Sequence, residues 1–381
     1  MTKEIEDTIE RLANDEQHIE KLSIVGYSLG GLVARYAVGL LYSNGWFERI
    51  QPVNFTTFAS PHLGVRTPLV GYHSHVWNAF GARMLSTSGR QLFTIDTFRD
   101  TGRPLLAVLA DPNSIFIKAL TQFKNRVLYA NTINDRSAPY YTTYITRLDP
   151  YVDMEAINIS YLKDYEPVIL DPSSSVSRKT PLENPSVYTR LTSTSQTLLN
   201  RVPMFAMLAV LIPVGTVVFL INTGIQSIRS QQRIRLHEQG KAGVGLGSYR
   251  IPLMIENAQS AVEGAFENMN AGQSQEYLPE SGDEIFTEDE QDDATSEKAQ
   301  QPVDALSRTS TRSKSEFPTL ALSPAQFAMI EALDDVGFRK YPVHIHQVAH
   351  SHAAIIVRTS RKGFEEGKVV MKHWLSEEFE I

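Results

Sequence analysis

Ser28, Asp135 and His352 are three residues whose types and order along the chain suit serine-based acyl transfer. A serine hydroxyl attacks a carbonyl carbon only when a base takes its proton, and the base needs a carboxylate to fix its tautomer. Each of the three residues follows a segment that the sequence predicts to be a β-strand. We therefore expect Ser28 to be the nucleophile, His352 the base and Asp135 the acid that orients the base.

The sequence around Ser28 is the most specific indication of this chemistry. Residues 26–30 read Gly-Tyr-Ser-Leu-Gly and fit the pattern G-x-S-x-G. An apolar run at 22–25 precedes them and predicts a buried strand, and apolar residues at helical spacing follow over 29–40. Strand, sharp turn and helix form the context of a nucleophile elbow, although an incidental serine in a glycine-rich turn would show the same short pattern.

A nucleophile elbow at residues 26–30 would explain the glycines at positions 26 and 30. We expect strained backbone at Ser28, and we expect side chains at positions 26 and 30 to collide with the neighbouring strand and helix. The turn lifts the Ser28 hydroxyl above the sheet edge, at a helix N-terminus whose dipole favours an anion. The backbone amide of Leu29 is then the predicted hydrogen-bond donor to the oxyanion.

The predicted acid and base each have an alternative. Asp135 follows the strand predicted at 126–130, and a turn aspartate that merely caps its loop would look the same. We assign the base to His352 because it directly precedes the apolar helix predicted at 353–358, with His350 as the second choice. The loop after the strand predicted at 340–345 carries these histidines: His344, His346, His350 and His352.

Two other uses of histidine compete with this assignment. The spacing H-x-H-x₃-H-x-H resembles a zinc site, but no cysteine or flanking carboxylate completes a common ligand set. His62 lies four residues after the strand predicted at 53–58, and we interpret it as a packed histidine near the mouth of the site. The sequence therefore predicts neither a metal nor a cofactor.

Five segments together resemble the fungal serine esterases of the α/β-hydrolase class known as DUF676 lipases. The resemblance covers about 1–150 and 320–360, and it implies an α/β-hydrolase fold with Ser28, Asp135 and His352 as the triad. It also implies glycerolipid acyl esters as substrates, because the family includes lipid-droplet phospholipases and monoacylglycerol-type lipases. The segments are Val-Gly-Tyr-Ser-Leu-Gly-Gly-Leu-Val-Ala-Arg-Tyr (25–36), Phe-Ala-Ser-Pro-His-Leu-Gly (58–64), Gly-Arg-Gln-Leu-Phe (89–93), Asn-Asp-Arg-Ser-Ala-Pro-Tyr (134–140) and His-Ser-His-Ala-Ala-Ile-Ile-Val-Arg (350–358).

One feature departs from the family pattern. Family members have several strands before the elbow and a His-Gly loop that supplies a second oxyanion amide, whereas 21 residues precede Leu22 here. We therefore expect an α/β fold whose hydrolase sheet lacks its N-terminal strands, in a chain shortened at its N-terminus. Loss of one oxyanion donor typically costs about 10² to 10³ in rate, so we expect this shortened form to have reduced or no activity.

Composition divides the chain into four predicted parts. The hydrolase core covers 1–200; it includes an apolar-rich stretch at 65–125, which serves either as a lid or as ordinary packing. An apolar membrane-associated segment follows at 201–235, and a disordered acidic and serine-rich linker at 236–320. Residues 321–381 form a C-terminal strand and helix that return His352 to the site.

Local patterns add detail within these parts. An amphipathic helix is predicted at 2–20, and an extended surface connection at 149–200 because of its prolines. Ser323 followed by Pro324 predicts a helix start. Residues 202–221 carry no charge, and twenty helical residues span about 30 Å, the thickness of a membrane's hydrocarbon core. Two prolines interrupt this run, so we expect a kinked or monotopic membrane segment, with a buried core helix as the alternative.

Charge and cysteine content limit the partners and the compartment. The net charge of −7 argues against nucleic acid, and the absence of cysteine suits a reducing compartment. We expect a membrane-associated, intracellular lipase or phospholipase, at a lipid droplet or the endoplasmic reticulum. Its expected partners are a glycerolipid or phospholipid substrate and the membrane surface. The alternative is a membrane-bound pseudo-hydrolase that binds lipid or a partner without turnover.

Overall fold

The computed structural model describes residues 1–65, 87–135, 137–174, 176–179 and 317–381, with a few positions between 228 and 239. Within these residues the strands are β1 (Lys21–Tyr27), β2 (Gln51–Phe58), β3 (Asn125–Asn131), β4 (Ile157–Asn158), β5 (Ser177–Arg178) and β6 (Arg339–Val343). Four of them form a parallel sheet in the order β1-β2-β3-β6, and β4 pairs with β5 as a small antiparallel ladder.

Helices connect and cover these strands. They are α1 (Thr2–Asn14), α2 (Leu29–Ser43), α3 (Thr87–Leu92), α4 (Leu105–Leu109), α5 (Ile115–Thr121), α6 (Tyr140–Tyr144), α7 (Pro324–Asp335), α8 (Ser351–Ala354) and α9 (Glu365–His373). A π-helical turn, Trp374–Glu378, continues α9. Strands that alternate with helices, paired in parallel, give the mixed α/β architecture that the sequence predicts.

The sheet is covered by apolar core on both faces. Successive side chains of a strand point to opposite faces, and β3 shows this directly. Leu128 packs in a cluster with Val38 of α2 and Phe116 of α5. Its neighbour Tyr129 packs in a second cluster with Trp374, which follows α9. Helices α2, α5 and α7 therefore cover one face and α8 and α9 the other, as parallel sheets require.

The C-terminal part of the chain joins the sheet through β6. Strand β6 pairs with β3 from Val127↔Arg339 to Asn131↔Val343. Helix α7 precedes it and begins as predicted: the side chain of Ser323 accepts the backbone N–H of Gln326, and the Gln326 side chain returns to the Ser323 backbone. This reciprocal capping box satisfies two donors at the helix start.

Several predicted elements need correction. The helix predicted at 2–20 ends at Asn14, and the closing helix predicted at 353–358 is wrong, because α8 has four residues and the long helix is α9. The segment 149–200 is not a surface connection where it is described. Tyr151, Ile157 and Ile169 are buried, and Ile169 forms a bridge to Val343 at the end of β6. The prolines hid this packing because they interrupt any regular apolar period.

Other predicted segments lie outside the described residues. They are the apolar run at 202–221, nearly all of the linker at 236–320 and positions 66–86 of the apolar-rich stretch. In the part of the chain that is described, no helix combines the length and the apolar character needed to cross a membrane. The division of the chain into four parts stays a prediction.

Candidate active site

Ser28 lies on the sharp turn between β1 and α2. Its backbone has φ 53° and ψ −129°, in the positive-φ region that non-glycine residues rarely occupy. The amide of Ser28 donates to the carbonyl of Phe58 at the end of β2, which fixes the turn against the neighbouring strand. The strained residue expected at the elbow is therefore present, and it is the serine itself.

The close approach that requires glycine lies at Gly26 and Gly31. A Cβ on Gly26 would lie 2.4 Å from the Cα of Gly31, and a Cβ on Gly31 would lie 2.1 Å from the Oγ of Ser60. At Gly30, by contrast, a Cβ would meet nothing within 4 Å, so the collision predicted for position 30 is wrong. Helix α2 contacts the segment after β2 through its third residue rather than its second.

The structure brings the three predicted site residues together. The Nε2 of His352 lies 2.9 Å from the Oγ of Ser28, and its Nδ1 lies 2.8 Å from the Oδ2 of Asp135. In the neutral tautomer with its proton on Nδ1, the imidazole donates to Asp135 and accepts the proton of the serine hydroxyl. This is the hydrogen-bonded order that general-base activation of a serine needs.

Asp135 is held as an acceptor from several sides. Its side chain is 2 % exposed. Its Oδ2 also accepts from the side-chain amide of Asn131 at 2.9 Å, and its Oδ1 accepts from the backbone amides of Ser137 and Ala138 at 3.0 and 2.9 Å. Four donors thus fix the carboxylate in place, which in turn fixes the orientation of the His352 ring.

The loop that carries His352 is fastened to the rest of the site. Ser351 donates its hydroxyl to the carbonyl of Ile133 at 2.7 Å and its amide to that of Asn134 at 3.1 Å. On the other side, a Cβ on Gly367 would lie 1.9 Å from the carbonyl oxygen of Ala354, so α9 packs directly on α8. Sequence reasoning missed these supports because they join residues far apart along the chain.

Tyr27 is a further residue that sequence reasoning missed. Its hydroxyl donates to the backbone carbonyl of His352, and the two rings lie 5.1 Å apart. Burial is the main reason that the pKa of Tyr27 is raised, so the phenol stays protonated and able to donate. The available signal in the sequence was the position of Tyr27 in the motif G-x-S-x-G, directly before the serine.

The remaining histidines of the loop have separate partners. His344 lies 2.7 Å from the hydroxyl of Tyr161, and His346 lies 2.8 Å from the carboxylate of Glu366. Burial, with the adjacent His346, lowers the pKa of His344 to about 4. His350 stands at the N-cap position of α8. Among the described residues no three His, Asp or Glu side chains are placed to share a metal ion.

His62 lies in the core rather than at the mouth of the site. It is fully buried, with Nε2 3.0 Å from the hydroxyl of Thr57 and Nδ1 3.5 Å from the guanidinium of Arg35. Burial first, and the charges of Arg35 and Lys340 second, hold the pKa of His62 well below its usual 6.5. Burial also lowers the pKa of Arg35 to about 9. His62 is thus a neutral packed residue, and the expected position at the mouth is wrong.

A parallel sheet with a serine on its strand-to-helix turn, facing a histidine and a buried aspartate, is the arrangement of serine hydrolases of the α/β class. Sequence comparison points to the same class for the N-terminal part of the chain. Residues 1–147 match the sequence profile of the family described as "Putative serine esterase (DUF676)". The resemblance inferred from the motifs is therefore confirmed for this part of the chain.

Fungal proteins named as putative lipases also resemble part of the chain. The chain is 37% identical over 136 residues to "Putative lipase ROG1" of Saccharomyces cerevisiae, covering 35% of this chain and 19% of that protein. It is 37% identical over 127 residues to "Putative lipase C4A8.10" of Schizosaccharomyces pombe, covering 32% and 16%. It is 33% identical over 144 residues to "Putative lipase YDL109C" of Saccharomyces cerevisiae, covering 37% and 21%. The matched region thus spans about a fifth of these relatives. No solved structure matches the chain.

Proposed function

We propose that this protein is a serine hydrolase that cleaves acyl esters of glycerolipids through Ser28, His352 and Asp135. The observation that carries the proposal is the continuous path of hydrogen-bond distances from the Ser28 hydroxyl through His352 to Asp135, 2.9 and 2.8 Å. The names of the fungal relatives, which describe putative lipases, support lipid esters as the substrate class.

The first half of the reaction forms an acyl-enzyme. As the Oγ of Ser28 attacks the ester carbonyl carbon, its proton moves to the Nε2 of His352. The carbonyl oxygen becomes an oxyanion, and the amide of Leu29 at the start of α2 donates to it. The Asp135 carboxylate stabilises the imidazolium. His352 then gives the proton to the departing alkoxide, the ester C–O bond breaks and an alcohol leaves.

The second half regenerates the serine. A water molecule takes the place of the alcohol, and the Nε2 of His352 removes its proton as the water oxygen attacks the acyl carbon. The tetrahedral intermediate collapses, the bond from the Ser28 Oγ to the acyl carbon breaks and the serine recovers its proton from His352. A free carboxylic acid leaves. The same three side chains serve both halves because each step exchanges one proton with His352.

We also propose that the enzyme works on an intracellular membrane surface, at a lipid droplet or the endoplasmic reticulum. The uncharged run at 202–221 supports this location, and so does an ester substrate that resides in lipid. The protein should stay with membranes through an alkaline carbonate wash, and deletion of 202–221 should release it. Release of the intact protein by the wash would count against a membrane segment.

A fluorophosphonate probe tests the proposed chemistry directly, because it reacts only with an activated serine. The protein should be labelled at one residue, and Ser28→Ala should abolish labelling and ester hydrolysis while the protein still folds. Labelling that persists in Ser28→Ala would place the nucleophile elsewhere. Absence of labelling in the folded parent protein would favour the non-catalytic alternative, in which the site binds lipid or a partner without turnover.

A further inference from the structure

An apolar cleft of about 400 Å³ lies along the flank of α2, the helix that starts directly after Ser28. One wall is formed by α2 itself, from Leu29 to Ala37. The other wall comes from the segment between β2 and β3, including Leu92, Phe98 and Leu105. The volume is within the range of pockets that bind small molecules.

The lining of the cleft fits a hydrocarbon chain. Of the described residues that line it, none has a charged side chain, and most are leucine or other apolar residues. Leu29 and Val33, one helical turn apart, are 42% and 47% exposed at its rim. Large apolar side chains that are exposed to solvent beside a cavity indicate a binding surface for an apolar ligand. A phosphate group would find no charged side chain there.

The position of Leu29 joins the cleft to the proposed chemistry. The backbone amide of this residue is the proposed oxyanion donor, and its side chain lines the cleft. An ester carbonyl placed between Ser28 and this amide therefore has the cleft beside it. We infer that the cleft binds the acyl chain of the substrate, and this inference rests on the proposed serine hydrolase function.

The dimensions select a chain of medium length. From Leu29 to Ala37 the helix rises about 12 Å, at about 1.5 Å per residue. An extended chain of ten carbons advances on the order of 12 Å, given C–C bonds of about 1.5 Å at tetrahedral angles. The cleft therefore accommodates an unbranched acyl chain of about ten carbons along α2, and carbons beyond that number lie outside it.

A chain-length series tests the inference. We expect kcat/KM for p-nitrophenyl esters to rise at least a hundredfold from acetate to decanoate, since burying each methylene contributes up to about fourfold. Beyond about ten carbons kcat/KM should level off. A flat profile from acetate to decanoate would overturn the inference while leaving the serine hydrolase proposal intact.

Two valines of equal exposure provide a matched pair of variants. Val33 is 47% exposed and lines the cleft, whereas Val25 on β1 is 46% exposed and does not line it. Val33→Trp should block the cleft near its entrance and lower kcat/KM for decanoate at least tenfold, with little effect on acetate. Val25→Trp should keep the profile of the parent protein. Equal profiles for the two tryptophan variants would overturn the inference.

Ligand binding to a variant without turnover tests the cleft independently of ester hydrolysis. In Ser28→Ala, which cannot form an acyl-enzyme, decanoate should bind by calorimetry, and adding Val33→Trp should weaken binding at least tenfold. Val33→Asp, which adds a charge at the rim, is a second variant that should give the same loss. Binding with this pattern supports the cleft even if the parent protein hydrolyses no ester. Decanoate binding unaffected by both Val33 variants would overturn the inference.

Discussion

The hydroxyl of Tyr27 donates a hydrogen bond to the backbone carbonyl of His352 across 3.1 Å. The turn between β1 and α2 therefore contacts His352 twice, through the Ser28 hydroxyl at the imidazole and through Tyr27 at the main chain. Residues 27 and 28 are adjacent in sequence, so a shift of the elbow would move both contacts together. Tyr27 is thus a positioning residue, which acts on the proposed reaction through His352.

Tyr27→Phe removes this hydrogen bond and keeps the ring. Because a single hydrogen bond contributes about 0.5–1.5 kcal/mol, we expect kcat to fall about twofold to tenfold with KM unchanged. Steady-state kinetics on a short-chain ester measures both constants. A rise in KM at constant kcat would show that the hydroxyl binds substrate instead of positioning the base.

His352 and His350 offer a direct comparison of two neighbouring histidines. The contacts to Ser28 and Asp135 come from His352, so His352→Ala should lower kcat by on the order of 10⁴ to 10⁶, since the members of such a triad act as a unit. His350→Ala should change kcat by less than about threefold because it leaves this unit complete. Loss of activity in His350→Ala with retention in His352→Ala would shift the base by two residues.

We expect alanine substitutions at Gly31 and Gly30 to have opposite effects on the free energy of unfolding. Gly31→Ala places a Cβ 2.1 Å from the Ser60 Oγ, and such overpacking typically costs about 1–3 kcal/mol. At Gly30 the space is open, so Gly30→Ala should raise the free energy of unfolding by about 0.5–1 kcal/mol, as alanine does in a helix. Urea unfolding of both variants measures the difference. Equal effects would contradict the close contact between α2 and the segment after β2.

The histidines with lowered pKa values predict acid sensitivity. The pKa of His62 lies well below 6.5 and that of His344 at about 4 in the folded protein, whereas an unfolded histidine titrates near 6.5. Below pH 6.5 the unfolded state binds protons first, so stability falls as the pH is lowered. For His344 this loss continues down to about pH 4.

A variant at His344 isolates this contribution. The urea midpoint of the parent protein should fall between pH 7 and pH 5, and His344→Gln should show a shallower fall over the same window. Glutamine keeps a hydrogen-bonding group near Tyr161 but does not titrate in this range. If the two proteins showed parallel pH profiles, protonation of His344 would not be coupled to unfolding.

The site was predictable where a short segment specifies its own geometry. The elbow requires Gly26 and a strained Ser28 within a few residues, and this local demand is visible in the sequence. The close contact of Gly31 was not predictable, because Gly31 faces Ser60, which lies in another part of the chain. Likewise, the closing helix was misplaced because α9 is set by the contact of Gly367 with Ala354. Long-range packing of this kind leaves no periodic pattern in the sequence.

The placement of β6 beside β3 has a consequence for the order of events during synthesis. Residue pairs such as Val127↔Arg339 close a long loop, and His352 meets Ser28 across 324 positions of sequence. Contacts so distant in sequence form late, and a chain emerging from the ribosome folds its earlier segments first. Under the proposed function, the nascent chain therefore carries Ser28 without its proposed base until 339–352 have been added. The proposed hydrolase would in this way be inactive on the ribosome until that stage.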